Sequence, residues 1–365
     1  MSISPQQFPD DEVVPADPDA LLAALPALLG FPPEESLVLL AFTDRGRLIA
    51  TIRIDLDLDE QGRPDLEMRR QLTKLGGVAA RYEGVVGTVA VRVDAESGPD
   101  APRDYRTFFR MVDRAFGPAG GLSAGFALPA VVAGARWFHC FAPMIPEVPF
   151  LWPPEASGLL SDPALSAVAL SRAVRSGRQV CADRTEIAGQ LAPLPHCADR
   201  PCRARTPIVR PAPPGPADAR RCRLILDQLE HGTGELSCDR MNALAEAISS
   251  VHARDLLLAL ALTDRRDAAE DLWRVLARRL DGRAGAAAAT LLGHLHYMAG
   301  EGVYAGAALD RALEHDPDYH LARLLNTALF HGLRPSELAD VNDFSVTLAD
   351  QLDVALPPRT HRPAG

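Results

Sequence analysis

The sequence predicts an α/β N-terminal domain followed by an all-α helical bundle. Before residue 191, apolar runs of strand length alternate with amphipathic stretches of helical spacing, which is typical of an α/β fold. After residue 219, the apolar patterns repeat with the 3.6-residue period of a helix. The stretch between them is dense in proline, which prevents regular hydrogen-bonded structure. These observations divide the chain into a disordered N-terminus (1–19), an α/β domain (20–191), a Pro/Arg-rich linker (192–219), a helical domain (220–356) and a disordered tail (357–365).

The α/β domain is predicted to form a mixed sheet of about five strands, largely parallel because strands alternate with helices. The turn Asp44-Arg45-Gly46 joins the first two strands into a hairpin, and a second hairpin follows a glycine-rich turn. The predicted strands are 36–42, 48–58, 85–93, 127–133 and 136–141, and the predicted helices are 20–29, 65–82, 103–116, 162–176 and 184–191.

The helical domain is predicted to contain seven helices with short connections, so that neighbouring helices pack antiparallel. Within it, small residues and a final proline follow the spacing of one tetratricopeptide-like (TPR-like) helical hairpin. Because no second copy is found, a hairpin within an ordinary bundle stays the alternative. The pattern consists of Leu292, Gly293, Ala305, Leu309, Ala312 and Pro317, and the predicted helices are 221–230, 241–249, 254–262, 268–280, 284–299, 303–315 and 319–330.

The charge and hydropathy of the chain exclude several classes of protein. A formal net charge of −10 argues against nucleic-acid binding, which usually needs an excess of Lys and Arg. No apolar run reaches the length of a membrane span, and Asp10, Asp11 and Glu12 stand where a secretory signal would be basic. We therefore expect a cytoplasmic protein whose six cysteines are reduced.

Five stretches along nearly the whole chain form an ordered set. They are Leu25-Pro26 through Gly30-Phe31 with Ser36-Leu37-Val38, then Arg53-Ile54-Asp55-Leu56, then Arg136-Trp137, then Asp183-Arg184-Thr185-Glu186, and finally Ala307 through Leu313 with Asp316-Pro317 and Leu321-Ala322. In this order they resemble an uncharacterised actinobacterial family, catalogued as a domain of unknown function (DUF4192). The resemblance implies a bacterial cytoplasmic protein, and it implies no particular activity.

A row of charged residues alternates with apolar ones on the second predicted strand. Arg53, Asp55, Asp57 and Asp59 would share one face of that strand, because alternate side chains point to the same side. Carboxylates in a row could bind Mg²⁺ together with waters and substrate phosphates. The same alternation is the ordinary pattern of a half-buried strand, so a solvated outer face is the favoured interpretation. On that interpretation, Arg53 and Asp55 form a surface ion pair of little energetic weight.

Cysteine and histidine residues in the Pro/Arg-rich segment suggest zinc. His196 and Cys197 are followed by Cys202, with four residues between the two cysteines, and Cys222 is the candidate fourth ligand. A strong zinc pattern needs two close cysteine pairs, and only one is present. Free thiols are therefore the favoured interpretation, and we assign no metal and no cofactor.

Residues 136–140 place an arginine, two aromatic side chains, a histidine and a cysteine on one predicted strand. His139 and Cys140 face opposite sides there, so they do not form a nucleophile pair. Arg and Trp are enriched at binding hot spots, which makes ligand contact an alternative to core packing for Arg136 and Trp137. The candidate ligand contacts, none of them catalytic, are Arg53, Asp55, Arg136, Trp137 and Arg184.

Two functions of different classes are compatible with this sequence, in which we find no common catalytic motif. The favoured function is that of an adaptor whose helical half binds a protein partner, in keeping with the TPR-like unit. The alternative is an enzyme or small-ligand-binding protein with a site at the strand ends of the α/β domain. The alternative predicts that Arg53, Asp55, Arg136 and Arg184 converge on one pocket.

Overall fold

The computed structural model describes residues 2–5, 17–44, 46–82, 84–143, 157–176, 180–208 and 212–360. The chain forms two compact units that divide between Arg184 and Thr185. The first unit contains a mixed sheet with helices, and the second is helical. The predicted order of an α/β half and an all-helical half is therefore confirmed. Among the described residues, no helix has both the length and the hydropathy needed to cross a membrane.

The sheet of the first unit is larger than the predicted five strands. Six strands lie between Ser36 and Leu159, and a further strand at the N-terminus pairs with one edge, giving the order β1-β3-β2-β4-β5-β6-β7. The N-terminal strand lies where we expected disorder; residues 6–16 of that stretch are outside the described part of the chain. The strands are β1 (Ser2–Pro5), β2 (Ser36–Thr43), β3 (Leu48–Asp55), β4 (Val85–Val93), β5 (Leu122–Leu128), β6 (Arg136–Phe141) and β7 (Ser157–Leu159).

The first predicted hairpin forms. The second pairs β6 with residues 122–128 and not with the predicted strand 127–133, and the prediction of a largely parallel sheet was also wrong. Strands β2 and β3 pair antiparallel, as do β5 and β6. Of the pairings in this sheet, only that of β4 with β5 is parallel. The reason is that β2 lies between β3 and β4 and runs antiparallel to both. The helical crossover from β3 to β4 therefore joins strands of the same direction that are not neighbours.

Helices α3 and α5 share one apolar core with the sheet. Helix α3 begins after Asp65, whose carboxylate accepts a hydrogen bond from the N–H of Met68 at 2.7 Å. The two helices approach closely at Gly76, where an added Cβ would overlap the carbonyl oxygen of Ala115. The helices of this part of the chain are α1 (Pro18–Ala23), α2 (Leu25–Leu29), α3 (Leu66–Ala79), α4 (Ala101–Asp104), α5 (Arg106–Phe116), α6 (Ala167–Ser176) and α7 (Arg184–Gly189).

The second unit is built around one fully buried helix. Every residue of α12 from 284 to 298 is buried, and an added Cβ at Gly293 would come within 2.8 Å of Leu309 on α13. This close approach explains why small residues recur on both helices. The helices are α8 (Pro216–His231), α9 (Cys238–Ser249), α10 (Val251–Leu257), α11 (Arg266–Arg279), α12 (Gly282–Met298), α13 (Gly302–His315), α14 (His320–Phe330) and α15 (Ala339–Gln351).

Helix α15 is an element that the sequence analysis did not predict. Its sequence contains Val, Asn, Asp, Phe, Ser and Thr, which are weak helix formers. Tertiary packing compensates, because Leu348 and Ala349 join Cys222 and Leu256 in a second apolar cluster of the helical unit. The helix therefore depends on contacts that its local sequence does not reveal.

Two segments that we expected to be irregular are attached to the helical unit. Leu191 and Cys197 are buried in its main apolar core, and the N–H of Leu194 donates to the carbonyl oxygen of Arg278 at 2.6 Å. In the tail, the N–H of Thr360 donates to the carbonyl oxygen of Leu262 at 3.1 Å. Neither segment has a helix or strand of its own at these points, so these contacts hold the chain in place.

Replacing Gly76 by alanine is expected to lower the free energy of unfolding by about 1–3 kcal/mol, because the new Cβ would overlap the backbone of α5. Gly77→Ala is the matched control. Its Cβ enters open space, and alanine favours the helix over glycine by about 0.5–1 kcal/mol. Denaturant unfolding of both variants measures the difference, and equal stabilities would contradict this packing of α3 on α5.

Candidate metal centre

Three sulfur atoms and one imidazole nitrogen come together in the helical unit. They belong to His196, Cys197, Cys202 and Cys238, and all four ligand atoms lie within 4.8 Å of one another. Within the described ranges, this is the only group of three or more His, Cys, Asp or Glu side chains that could hold a metal ion. Two of the cysteines, Cys197 and Cys238, are buried, whereas Cys202 is exposed.

Four of the six distances among the ligand atoms are close to the edges of a tetrahedral zinc site, and all six are within 4.8 Å. With Zn–S bonds of about 2.3 Å and Zn–N bonds of about 2.0 Å, a tetrahedron has S···S edges of about 3.8 Å and S···N edges of about 3.5 Å. The Sγ atom of Cys202 lies 3.5 Å from that of Cys197 and 4.0 Å from that of Cys238. The Nδ1 atom of His196 lies 3.6 Å from the Cys202 sulfur and 3.8 Å from the Cys238 sulfur. One cation can therefore contact all four atoms.

Helix α11 positions the chain that leads into the cluster. The Arg278 side chain donates to the carbonyl oxygen of Ala192 at 3.1 Å, and the Arg279 side chain donates to that of Pro195 at 2.8 Å. Because prolines cannot donate, these side-chain donors to backbone carbonyls replace the ladder of a helix or sheet. They set the start of the ligand segment, which we define as residues 196–205.

Cys238 is presented by the first turn of α9. The hydroxyl of Ser237 caps this helix, and the N–H of Cys238 donates to the carboxylate of Asp199 at 2.6 Å. This hydrogen bond, which Asp199 accepts, joins the ligand segment to α9.

The backbone of the ligand segment also donates a hydrogen bond to the Cys238 sulfur. The N–H of Arg203 donates to the Cys238 Sγ at 3.1 Å, and Asn242 on α9 accepts from the N–H of Arg205 at 2.9 Å. Asn242 also donates to the carbonyl oxygen of Arg203 at 2.9 Å. Such donors around ligating groups fix their orientation and tune the metal.

Burial and hydrogen bonds shift the pKa values of three members of the cluster. Burial, followed by hydrogen bonds to the Cys202 and Cys238 sulfurs, raises the pKa of Cys197 to about 11. A hydrogen bond from the backbone of Ala204, followed by one from Cys197, lowers the pKa of Cys202. Burial also lowers the pKa of His196, which favours the neutral imidazole that a metal requires. Metal binding would replace the thiol protons, so affinity should fall as the pH falls.

Cys222, which the sequence suggested as the fourth ligand, does not belong to the cluster, so that suggestion was wrong. It lies on α8 in the second apolar cluster, with its Sγ 3.8 Å from the carbonyl oxygen of Ala253. Burial raises its pKa to about 12, so it stays a neutral thiol. The fourth member is Cys238, which lies 36 residues after Cys202 in the sequence. The local feature that could have pointed to it is its position directly after Ser237, the capping residue of α9.

The charged residues of the second predicted strand do not all lie on one strand in the structure. Strand β3 ends at Asp55, so Asp57 and Asp59 do not continue its face. Asp59 instead accepts hydrogen bonds from the N–H groups of Gln61 and Arg63, both at 3.0 Å, and closes a turn. The expectation that the four charged residues share one strand face was therefore wrong beyond Asp55.

Arg53 and Asp55 form an ion pair with 2.7 Å between Nη2 and Oδ1. The Arg53 side chain is buried beside Phe31, with its guanidinium 5.7 Å from the ring centroid, and it donates to the carbonyl oxygen of Glu34 at 3.3 Å. The pair was expected at the surface, but one partner is buried, because the residues before β2 fold over Arg53. The role of both residues as ligand contacts stays a prediction.

Two of the other candidate ligand contacts, Arg136 and Trp137, lie on β6 and apart from this pair. Arg136 is exposed at the start of β6, which is four strand positions from β3 and therefore about 19 Å away across the sheet. Trp137 is buried against Phe126 in an edge-to-face contact with ring centroids 5.9 Å apart. Arg184 is exposed at the start of α7. The strand positions therefore do not bring Arg53 and Arg136 together.

Sequence analysis missed a buried ion pair in the α/β unit. Arg92 and Asp94, both almost completely buried, are joined by charge-assisted hydrogen bonds, and the guanidinium of Arg92 lies 3.8 Å from the ring centroid of Tyr105. Burial alone would raise the pKa of Asp94, but hydrogen bonds from Arg92 and from the N–H of Glu96 lower it. Because these charges are paired with each other, they anchor β4 and offer no open metal site.

The fold and the cluster define the chain as a two-unit protein with a Cys₃His group in its helical unit. The model of a protein family described as a domain of unknown function, DUF4192, matches residues 18–336. The chain belongs to this family, as the ordered stretches of sequence indicated. Neither the curated proteins nor the solved structures contain a match. The matched range includes all four residues of the cluster.

Proposed function

We propose that this chain is a zinc-dependent adaptor, in which a structural Cys₃His zinc centre holds the ligand segment on the helical unit for binding a protein partner. The observation that carries the proposal is that the ligand atoms of His196, Cys197, Cys202 and Cys238 all lie within 4.8 Å of one another. Sulfur and nitrogen ligands in this geometry select zinc among the common divalent metals.

A structural centre fits better than a catalytic one. Catalytic zinc keeps one position open for water or substrate, whereas four protein ligands complete the tetrahedron. Three thiolates and one Zn²⁺ carry a net charge of −1, which Arg200 in the same segment offsets. The zinc would therefore fix the conformation of a segment that has no helix or strand of its own.

Zinc content and stability test the centre. The purified full chain is expected to contain about one zinc ion, and Cys238→Ser should lose it, because one of four ligands is removed. Cys222→Ala is the matched control and should keep its zinc, since Cys222 lies outside the cluster. Elemental analysis and thermal unfolding with and without a chelator measure both properties. A chain without zinc, or a Cys238 variant that retains it, would contradict the centre.

The adaptor part of the proposal rests on what the zinc centre would present. Arg200, Arg203 and Arg205 are exposed on the ligand segment, although the chain as a whole has a net charge of −10. A fixed cluster of guanidinium groups is suited to carboxylate-rich partners, because Arg binds carboxylates through paired hydrogen bonds. The partner that fits this chemistry is an acidic protein segment.

The TPR-like hairpin is the second support for an adaptor. Helices α12 and α13 pack closely at Gly293 and Leu309, and Pro317 follows the end of α13; these three residues belong to the TPR-like pattern of the sequence. Such hairpins are used in binding other proteins. We propose that this hairpin gives the helical unit the rigidity with which the arginines are presented.

Charge reversal tests the adaptor function. In cross-linking from cells that produce the full chain, a double Arg203→Glu and Arg205→Glu variant should lose a partner that the unmodified chain retains. Arg110→Glu, on an exposed position of α5, is the matched control and should retain it. Because surface charges are screened over about 10 Å at 0.1 M salt, added salt should also weaken the complex. Unchanged binding by the double variant would contradict this role.

A small-ligand site in the α/β unit is a second candidate, favoured by two buried polar atoms. Within the described residues, Ser36 Oγ and Arg53 Nε have no hydrogen-bond partner. The register of β2 on β3 places both side chains on one face of the sheet, beside Asp55. A small anion could accept a hydrogen bond from each of them.

Thermal shift with inorganic phosphate and with succinate tests this second candidate. The chain should be stabilised with increasing anion, because a ligand that binds the folded state raises its stability. Arg53→Lys keeps the charge but removes Nε, so it should abolish the shift, whereas Arg70→Lys on the exposed face of α3 should not. The absence of any shift with the unmodified chain would contradict an anion site of this kind.

A further inference from the structure

We infer that the zinc centre is a peroxide-responsive switch in which Cys197 and Cys202 form a disulfide and release the metal. The inference rests on the proposed zinc centre and adds its regulation. The three sulfurs differ in access, because Cys202 is exposed while Cys197 is 3 % and Cys238 is 5 % exposed. A small oxidant therefore reaches one ligand of the centre first.

The geometry selects the partner of that exposed sulfur. Cys197 lies 3.5 Å from Cys202, sulfur to sulfur, and Cys238 lies 4.0 Å away. A disulfide has an S–S distance of about 2.0 Å, so the first pair needs an approach of about 1.5 Å. Residues 198–201 between the two cysteines contain no helix or strand, so this movement breaks no backbone ladder. Cys238, by contrast, is held in the first turn of α9.

The reaction balances with a hydroperoxide as the oxidant. The Cys202 thiolate attacks the peroxide; an S–O bond forms, the O–O bond breaks and, after protonation, an alcohol or water leaves. The Cys197 thiolate then attacks the sulfur of the resulting sulfenic acid; the S–S bond forms, the S–O bond breaks and hydroxide leaves as water after taking a proton. The two sulfurs lose two electrons in total, and the O–O bond gains them.

Loss of two ligands releases the zinc. Only His196 and Cys238 remain, and structural zinc sites require four protein ligands. The arginine-bearing end of the ligand segment would then lose its metal-mediated link to α9. It would be held by hydrogen bonds, those of Asn242 to Arg203 and Arg205 and those of Cys238 to Arg203 and Asp199. Oxidation would thus loosen the proposed binding surface, and a thiol reductant with zinc would restore it.

The test treats the zinc-loaded full chain with one equivalent of hydrogen peroxide. Zinc release is followed with a metal-binding dye, and disulfides are assigned by peptide mass mapping. We expect release of the bound zinc together with a Cys197–Cys202 disulfide, and recovery of the zinc centre after dithiothreitol and added zinc. Cys202→His keeps a zinc ligand but removes the oxidisable sulfur, so this variant should retain its zinc in peroxide. Cys140→Ser, which replaces a buried thiol of the α/β unit, should release zinc as the unmodified chain does.

The outcomes separate this inference from the zinc proposal. Zinc that is bound at the start but stays bound after peroxide overturns the switch and leaves the zinc centre standing. Zinc release without a Cys197–Cys202 disulfide also overturns the switch, and this result does not depend on the folding of any variant. A chain that contains no zinc before treatment overturns both proposals.

Discussion

A proline-dense segment has few backbone N–H donors, so side chains must determine where it lies. In the helical unit, side chains hold both ends of the stretch that begins at Ala192 and continues into the ligand segment. Arg278 and Arg279 of α11 bind its carbonyl groups at one end, and the cysteine–histidine cluster gathers the other. A stretch that would otherwise be a spacer therefore becomes part of the apolar core, with Leu191 and Cys197 buried among the helices. The candidate metal centre and the position of the arginines follow from this attachment.

Charged side chains have different roles at two places in the chain. In the α/β unit, Arg92 and Asp94 are buried together and satisfy each other, which makes them a structural pair of β4. In the helical unit, the arginines of the ligand segment are exposed, and they are close in sequence to the cysteines of the candidate metal centre. Because Arg92 and Asp94 are paired with each other, the charges that we propose for binding a protein partner are those of the second group.

Close helix packing explains the small residues that recur along the chain. Gly76 admits the backbone of α5, and Gly293 admits Leu309 of α13. Because α12 is buried along almost its whole length, any larger residue on it would push a neighbouring helix away. The helical unit is thus a rigid support for the ligand segment, and the reactivity of the exposed Cys202 concerns that segment and not the support.

Periodicity and turn residues by themselves determined the two halves, the first β-hairpin and most of the helices up to α14, because these features depend on residues close in sequence. The family was indicated by the resemblance of ordered stretches along the chain. The site was half predictable: His196, Cys197 and Cys202 were visible as a group, but the fourth member was taken to be Cys222. Tertiary structure alone decided for Cys238, since only the folded chain shows which distant helix meets the ligand segment. The end of β3 at Asp55 is followed by a local turn at Asp59, which the alternation of charged and apolar residues concealed. Tertiary structure likewise decided that β2 lies between β3 and β4. For Cys238 and for the strand order, a contact between separate segments overrode a pattern that was locally correct.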